Sequence, residues 1–405
     1  MKLPALLTAL LLWGCAAQAA PVLGVPTPVV DPGHKGLSHW FSALKAAEAK
    51  TGVARAIQYG DSTIAADGFT KTIRARLATR FGDAGPGFVT AALNPAWHQR
   101  SDILSTRSGG WEWRTILLGG GGGRYGLGGI VAIVRPGGYA TVRAIDAAKA
   151  PAPMKHVELW YQGGQGYGSY WVTADDKELG RGSAAAAATD DRRFTLDVPE
   201  GFTKLAFGAT GGTVPIYGVV LETGTPGITW EALGVIGVGS KSFTTYAKDS
   251  LRPQVAQRGA DLVVVMLGGN EAGYPALLGK GGEAYAPIYA GALDTILAGK
   301  GDASCLVVTP LDQGFADEMD NGTVKARPGM KNLVAVQERI AMEKGCAFWS
   351  TYAAMGGPGS ALTWARARGV GTGDYVHVTA KGLDILGNLA ADALLGEYDA
   401  WVARR

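Results

Sequence analysis

The chain has 405 residues, a formal net charge of +3, 47% hydrophobic residues and 18% charged ones. That balance excludes a disordered chain and offers no basic block for a nucleic-acid partner, and the length exceeds one typical core, so two domains are expected. There is no His-Glu-x-x-His, no paired Cys-x-x-Cys and no cluster of histidines with carboxylates, so neither a metal nor another cofactor is expected.

Lys2, an apolar run over residues 3–13 and Ala17-Gln18-Ala19 form the layout of an export signal over residues 1–19, cut before Ala20. Cys15 raises a lipoprotein alternative, against which stands the bulky Trp13 where a small residue is usual. The run is too short to span a membrane and no later stretch reaches a spanning length. A periplasmic or secreted protein is expected.

Residues 53–59 are apolar and β-favouring, and residues 69–80 carry Phe69, Ile73 and Leu77 at four-residue intervals, the pattern of a helix with one apolar face. Gly60-Asp61-Ser62 lies between them. A serine where a strand gives way to a helix has an exposed hydroxyl and free main-chain N–H groups nearby; the plainer reading is a turn with a helix cap. From 105 to 226 the texture changes to short β runs broken by glycine and polar turns, for example residues 129–134, 140–145, 156–161, 169–173, 193–196, 203–207 and 216–222, the signature of a β-sandwich inserted between the first two strands of an α/β domain. The glycine-rich stretch 119–129 has no Gly-Lys-Ser/Thr and reads as a loop. Trp111, Trp113, Trp160 and Trp171 fall in this region; sandwich core is the plain reading and a sugar-stacking platform the alternative.

Strand and helix alternate again from about residue 233. Residues 233–240 form a strand ending in glycines, and residues 261–267 form a buried strand that runs into Gly268-Gly269-Asn270-Glu271. An amide at the carboxyl end of a parallel strand can donate to a developing oxyanion, although a Gly-Asn turn is common after any strand. Cys305 and Cys346 open two similar strand-like segments separated by a helix near 333–344. If those strands are neighbours the spacing suits a disulfide, and two free buried cysteines are the competing reading. Asp374-Tyr375-Val376-His377 precedes a final amphipathic helix over about 383–402. His377 can serve as a base toward a serine hydroxyl, and Asp374 is close enough in sequence to orient it. His34, His39 and His98 are read as surface residues without a role, and the absence of Gly-x-Ser-x-Gly argues against the α/β-hydrolase elbow.

The ordered set Gly-Asp-Ser, strand-Gly-x-Asn and Asp-x-x-His before a last helix resembles the SGNH (GDSL) family of serine esterases. The flanking residues Ala65, Ala66, Asp67 and Phe69, with residues 80–88, resemble its peptidoglycan O-acetylesterase branch. The resemblance implies a three-layer α/β/α, flavodoxin-like hydrolase domain over 20–104 and 227–405, with a carbohydrate-binding-module-like sandwich over 105–226. It implies Ser62 as nucleophile, His377 as base and Asp374 as its orienting acid. The oxyanion donors would be the Ser62 N–H, the Asn270 side chain and a glycine N–H after the second strand, for which Gly237 fits better than Gly234 or Gly239. The partner would be an O-acetylated glycan, most specifically peptidoglycan, with another acetylated polysaccharide or acetyl transfer as the alternatives and a non-enzymatic wall-binding module after them.

Overall fold

Five runs rich in apolar and β-branched residues, β1 (Val53–Gly60), β2 (Gly227–Gly234), β3 (Leu262–Met266), β4 (Ser304–Val308) and β5 (Ala347–Trp349), pair into one parallel sheet in the order β2-β1-β3-β4-β5. The computed structural model describes residues 23–119, 122–146, 148–317 and 322–405; the expected export signal and Cys15 lie outside the described residues. Six longer helices accompany the sheet: α1 (Ser38–Glu48), α2 (Gly68–Phe81), α3 (Lys248–Arg258), α4 (Ala286–Leu297), α5 (Met330–Glu343) and α6 (Ala380–Ala403). No helix among the described residues is long and apolar enough to cross a membrane.

Alternate residues of the parallel strands enter two separate buried clusters. Ala56, Trp230 and Val264 meet Phe41 of α1, Leu77 of α2 and Leu386 of α6, whereas Ile57, Val263 and Val307 meet Val255 of α3, Leu293 of α4 and Ile340 of α5. Successive strand residues thus find helical partners in both clusters, which is why the strand sequences are apolar without alternation. The strand order reverses at β1, whose neighbours are β2 and β3. In open sheets of this kind the crevice for a ligand forms at such a point, outside the carboxyl ends of the strands.

Between α2 and β2 the chain forms two antiparallel sheets. One runs in the order Asp190–Phe202, Met154–Gly163, Val214–Glu222, Ile130–Val134, Trp111–Thr115, with Gly87–Thr90 added to Val214–Glu222. The other runs Ile103–Arg107, Tyr139–Ala144, Leu205–Thr210, Ser169–Ala174, Lys177–Ser183. Val134, Leu159 and Ile216 of the first share a buried cluster with Val142, Val172 and Phe207 of the second. The reverse face of the first sheet is also covered: Phe88, Trp160 and Val220 belong to the same cluster as α3 and α4. Val214–Glu222 is consequently buried along its whole length, and Trp160, one of the four tryptophans considered for sugar stacking, is core, edge-on to Phe88. Charge joins the two parts as well. Arg258 of α3 and Arg55 of β1 both pair with Glu222, and Arg258 also pairs with Glu231 of β2, so each buried charge in the cluster has a partner.

Cys305 on β4 and Cys346 just before β5 form a disulfide with a Cα–Cα distance of 4.7 Å, which decides between the two readings of the pair. The bond closes a loop with a sequence separation of 41. By the loop-entropy relation, removing it should cost about 4 kcal/mol of stability. We expect thiol labelling of the unfolded, unreduced protein to find neither cysteine free, and the Cys305→Ala, Cys346→Ala double variant to unfold at clearly lower denaturant. Two labelled thiols would contradict the bond.

Candidate active site

The turn that carries Ser62 is built by Gly60 and Asp61. A β-carbon on Gly60 would collide with Ile64, so the chain can turn this tightly out of β1 only without a side chain. Asp61 then caps the short helix Ser62–Ala65 by accepting the Thr63 N–H at 3.0 Å. Burial pushes the Asp61 carboxyl up, against the Thr63 N–H that favours the charged form. The next turn is set by Asp67, in the left-handed region at φ +56°, whose carboxylate accepts from Thr70, Arg74 and both the N–H and the hydroxyl of Ser101. Ser62 is thus held on a frame fixed from two sides.

The other end of the chain brings His377 to Ser62. Ser62 Oγ and His377 Nε2 are 2.9 Å apart, and His377 Nδ1 donates to Asp374 Oδ2 at 2.7 Å. Asp374 Oδ1 accepts the main-chain N–H groups of Val376 and His377, each at 2.9 Å, and lies 2.5 Å from the Thr372 hydroxyl. Burial acts to raise the Asp374 carboxyl, but these donors outweigh it and hold it well below the usual carboxylate range. Tyr375, at φ +60°, lets the loop fold back so that acid and imidazole face each other. With Nδ1 committed to the carboxylate, Nε2 is the ring's acceptor toward the serine hydroxyl.

Asn270 follows β3 after Gly268, which has φ +110°. Its Nδ2 donates one hydrogen to the Val238 carbonyl at 2.8 Å, which fixes the amide and leaves the second hydrogen available. Glu271 accepts the Ser240 N–H, tying this loop to the one after β2; burial pushes its carboxyl up. Gly237 is on that second loop at φ +83°, with Leu117 of the antiparallel region packed against its α-carbon side. Among the described residues neither the Ser62 nor the Gly237 main-chain N–H has a protein acceptor. Gly234 and Gly239 have packing roles instead: side chains there would strike Ala65 and Glu271.

Ser62, Asn270 and His377 line one cleft with Asp61, Thr63, Gly269, Pro310, Leu311, Gln313 and Val376. Asp374 stands behind His377, and Gly237 adjoins through the Val238–Asn270 bond without lining the cleft. Sequence reasoning missed Thr372 and Gln313. The side chain of Gln313 donates to the Gly269 carbonyl at 2.9 Å and so braces the Asn270 loop. Its place after β4, at the carboxyl edge of the sheet, was the available signal. Among the described residues no group of three or more His, Cys, Asp or Glu side chains could hold a metal.

The reading of His98 as a surface residue is corrected. It is 2% exposed, its Nδ1 donating to the Gly234 carbonyl at 3.0 Å behind the Ser62–Ala65 helix. His34 and His39 are exposed and pair with Glu397 and Asp261. Burial, helped by the Arg100 charge, pushes His98 down to about 4. Since the folded value lies below the unfolded one, the unfolded chain binds more protons, and stability falls as the pH drops from about 6.5 to about 4. His98→Asn keeps a donor for Gly234 and cannot titrate. It should flatten the pH dependence of unfolding across that window, by roughly 3 kcal/mol; an unchanged profile would contradict the burial.

No family model matches the sequence, and no curated protein sequence does. Among solved structures, a peptidoglycan O-acetylesterase superposes with a TM-score of 0.75 at 24% identity, over 92% of this chain and 99% of that one. This chain has that enzyme's fold. The parallel-sheet part alone could not reach such coverage, so the likeness extends into the antiparallel sheets. The acetyl xylan esterase AlAXEase matches at 18% identity over 41% of this chain and 81% of its own, with a TM-score of 0.30. Est24, a carbohydrate acetylesterase from Sinorhizobium meliloti, matches at 16% identity over 42% and 79%, with a TM-score of 0.28.

Proposed function

We propose that the protein is an exported serine esterase of the SGNH type that removes O-acetyl groups from a cell-wall glycan, most specifically peptidoglycan. The observation that carries the reading is the hydrogen-bonded series Ser62–His377–Asp374, in a chain sharing the fold of a solved peptidoglycan O-acetylesterase. The catalytic domain is read as a three-layer α/β/α sandwich, supported by the two buried clusters that the parallel strands feed, with an inserted sandwich over about 105–226 whose sheets also take in Gly87–Thr90 and Ile103–Arg107. The periplasm or the exterior is the proposed location, on the strength of residues 1–19.

In the proposed reaction His377 Nε2 takes the Ser62 proton as Oγ attacks the acetyl carbonyl carbon. The oxyanion is met by the Ser62 N–H, the Gly237 N–H and Asn270 Nδ2. His377 returns the proton to the sugar oxygen, which leaves as the free hydroxyl, and the acetyl group stays on Ser62. Water then attacks that ester, giving its proton to His377; acetate departs and Ser62 regains its hydrogen. Asp374 keeps the imidazole in one tautomer throughout.

The test is acetate release from O-acetylated peptidoglycan and from acetylated xylan at matched acetyl content, without an added acceptor sugar. Faster release from peptidoglycan is expected. A preference for xylan would refute the wall-glycan assignment, and release that requires an acceptor sugar would make the protein a transferase.

A further inference from the structure

Arg327 has an unusual setting. Its main-chain N–H donates to the carbonyl of Gln313, a cleft-lining residue, at 2.9 Å, which places it beside the ester site. Its guanidinium lies against Gly273, three residues after Asn270, so closely that a β-carbon there would strike Nη1. Its Nε is buried without a hydrogen-bond partner, and among the described residues no carboxylate forms an ion pair with it. Other arginines near the nucleophile are satisfied: Arg74 pairs with Asp67 and Asp102, and Arg100 with Asp102. A guanidinium that is half withdrawn from water and lacks a counter-ion lacks what normally offsets its desolvation. Beside a binding cleft, its planar fork suits a ligand carboxylate, which it can meet with two parallel N–H bonds.

We propose that Arg327 recognises a carboxylate of the substrate, so that the esterase favours O-acetylated glycans bearing an acid group near the acetyl ester over neutral ones. The inference rests on the esterase reading and specifies the substrate of that same site. Gly273 has a part in it: only a residue without a side chain lets the guanidinium lie along the Asn270 loop.

The test compares kcat/KM for acetate release from one preparation of O-acetylated peptidoglycan, half of it left with free carboxylates and half amidated at them. Each variant is its own control, because the quantity read is the ratio of the two rates. For the wild-type protein the free-acid form should be preferred about tenfold or more, the range of a charge-assisted hydrogen bond. In Arg327→Ala the ratio should fall to near one. Arg327→Lys, which keeps the charge but loses the fork, should be intermediate. Gly273→Ala, which displaces the guanidinium and leaves the charge in place, should also lower the ratio, and it serves if Arg327→Ala does not fold. A wild-type protein indifferent to amidation, or a ratio unchanged in both Arg327→Ala and Gly273→Ala, would overturn the proposal. Wild-type protein that releases no acetate from either form or from p-nitrophenyl acetate would instead overturn the esterase reading itself.

Discussion

Replacing His377 by alanine is expected to lower kcat for acetyl ester hydrolysis by a factor on the order of 10⁴ to 10⁶, because the serine hydroxyl is left without a base. The His377 side chain is 46% exposed on a loop, so thermal unfolding should move little. Asp374→Asn should be milder, roughly 10⁴, since the amide oxygen can still accept from the loop N–H groups while the imidazole loses its tautomer control. The same geometry gives a pH signature. The Asp374 carboxyl is held below the usual range, so its charged form, and the stability it lends, are present above the ordinary carboxylate range and lost only as the pH falls through the depressed folded value. Asp374 should therefore add no step to the pH profile of kcat/KM across the ordinary carboxylate range. A step in that range that Asp374→Asn removes would show that Asp374 is not held in this way.

Asn270→Ala is the second large effect. In the wild-type protein the Val238 carbonyl holds one amide hydrogen, so the other is oriented before substrate arrives. Pre-oriented donors of this kind are worth about 3 kcal/mol in the transition state, a loss of roughly 10² to 10³ in kcat with KM nearly unchanged. Steady-state kinetics on p-nitrophenyl acetate would read both. A fall in KM affinity with kcat retained would make Asn270 a ground-state contact and not an oxyanion donor.

Positions fixed by the end of a strand were legible in the sequence. Ser62 after β1 and Asn270 after β3 could be placed because an apolar run stops abruptly at glycine in both cases. Asp374 and His377 are three residues apart, and their contact is local. Residues acting across the chain were not legible. His98 sits in a loop without periodicity, and its burial depends on the carbonyl of Gly234, 136 positions away. Glu271 reaches the Ser240 N–H, and Gln313 the Gly269 carbonyl, through folding that brings three strand ends together. The antiparallel region was recognisable by texture, but its double coverage was not: Val214–Glu222 is buried on both faces because a sandwich core lies on one side and α3 and α4 on the other. Polar Lys177–Ser183 escaped notice for the opposite reason, as an edge strand with little to bury.

The most direct test of the esterase account is covalent capture of its nucleophile. The protein would be treated with an organophosphorus fluoride, sampled over time for acetate release from O-acetylated peptidoglycan, and mapped by peptide mass spectrometry. One adduct per chain is expected, on Ser62, forming in step with the loss of acetate release, with no adduct and no release in Ser62→Ala. Full labelling with release undiminished, or Ser62→Ala protein releasing acetate at the wild-type rate, would contradict it.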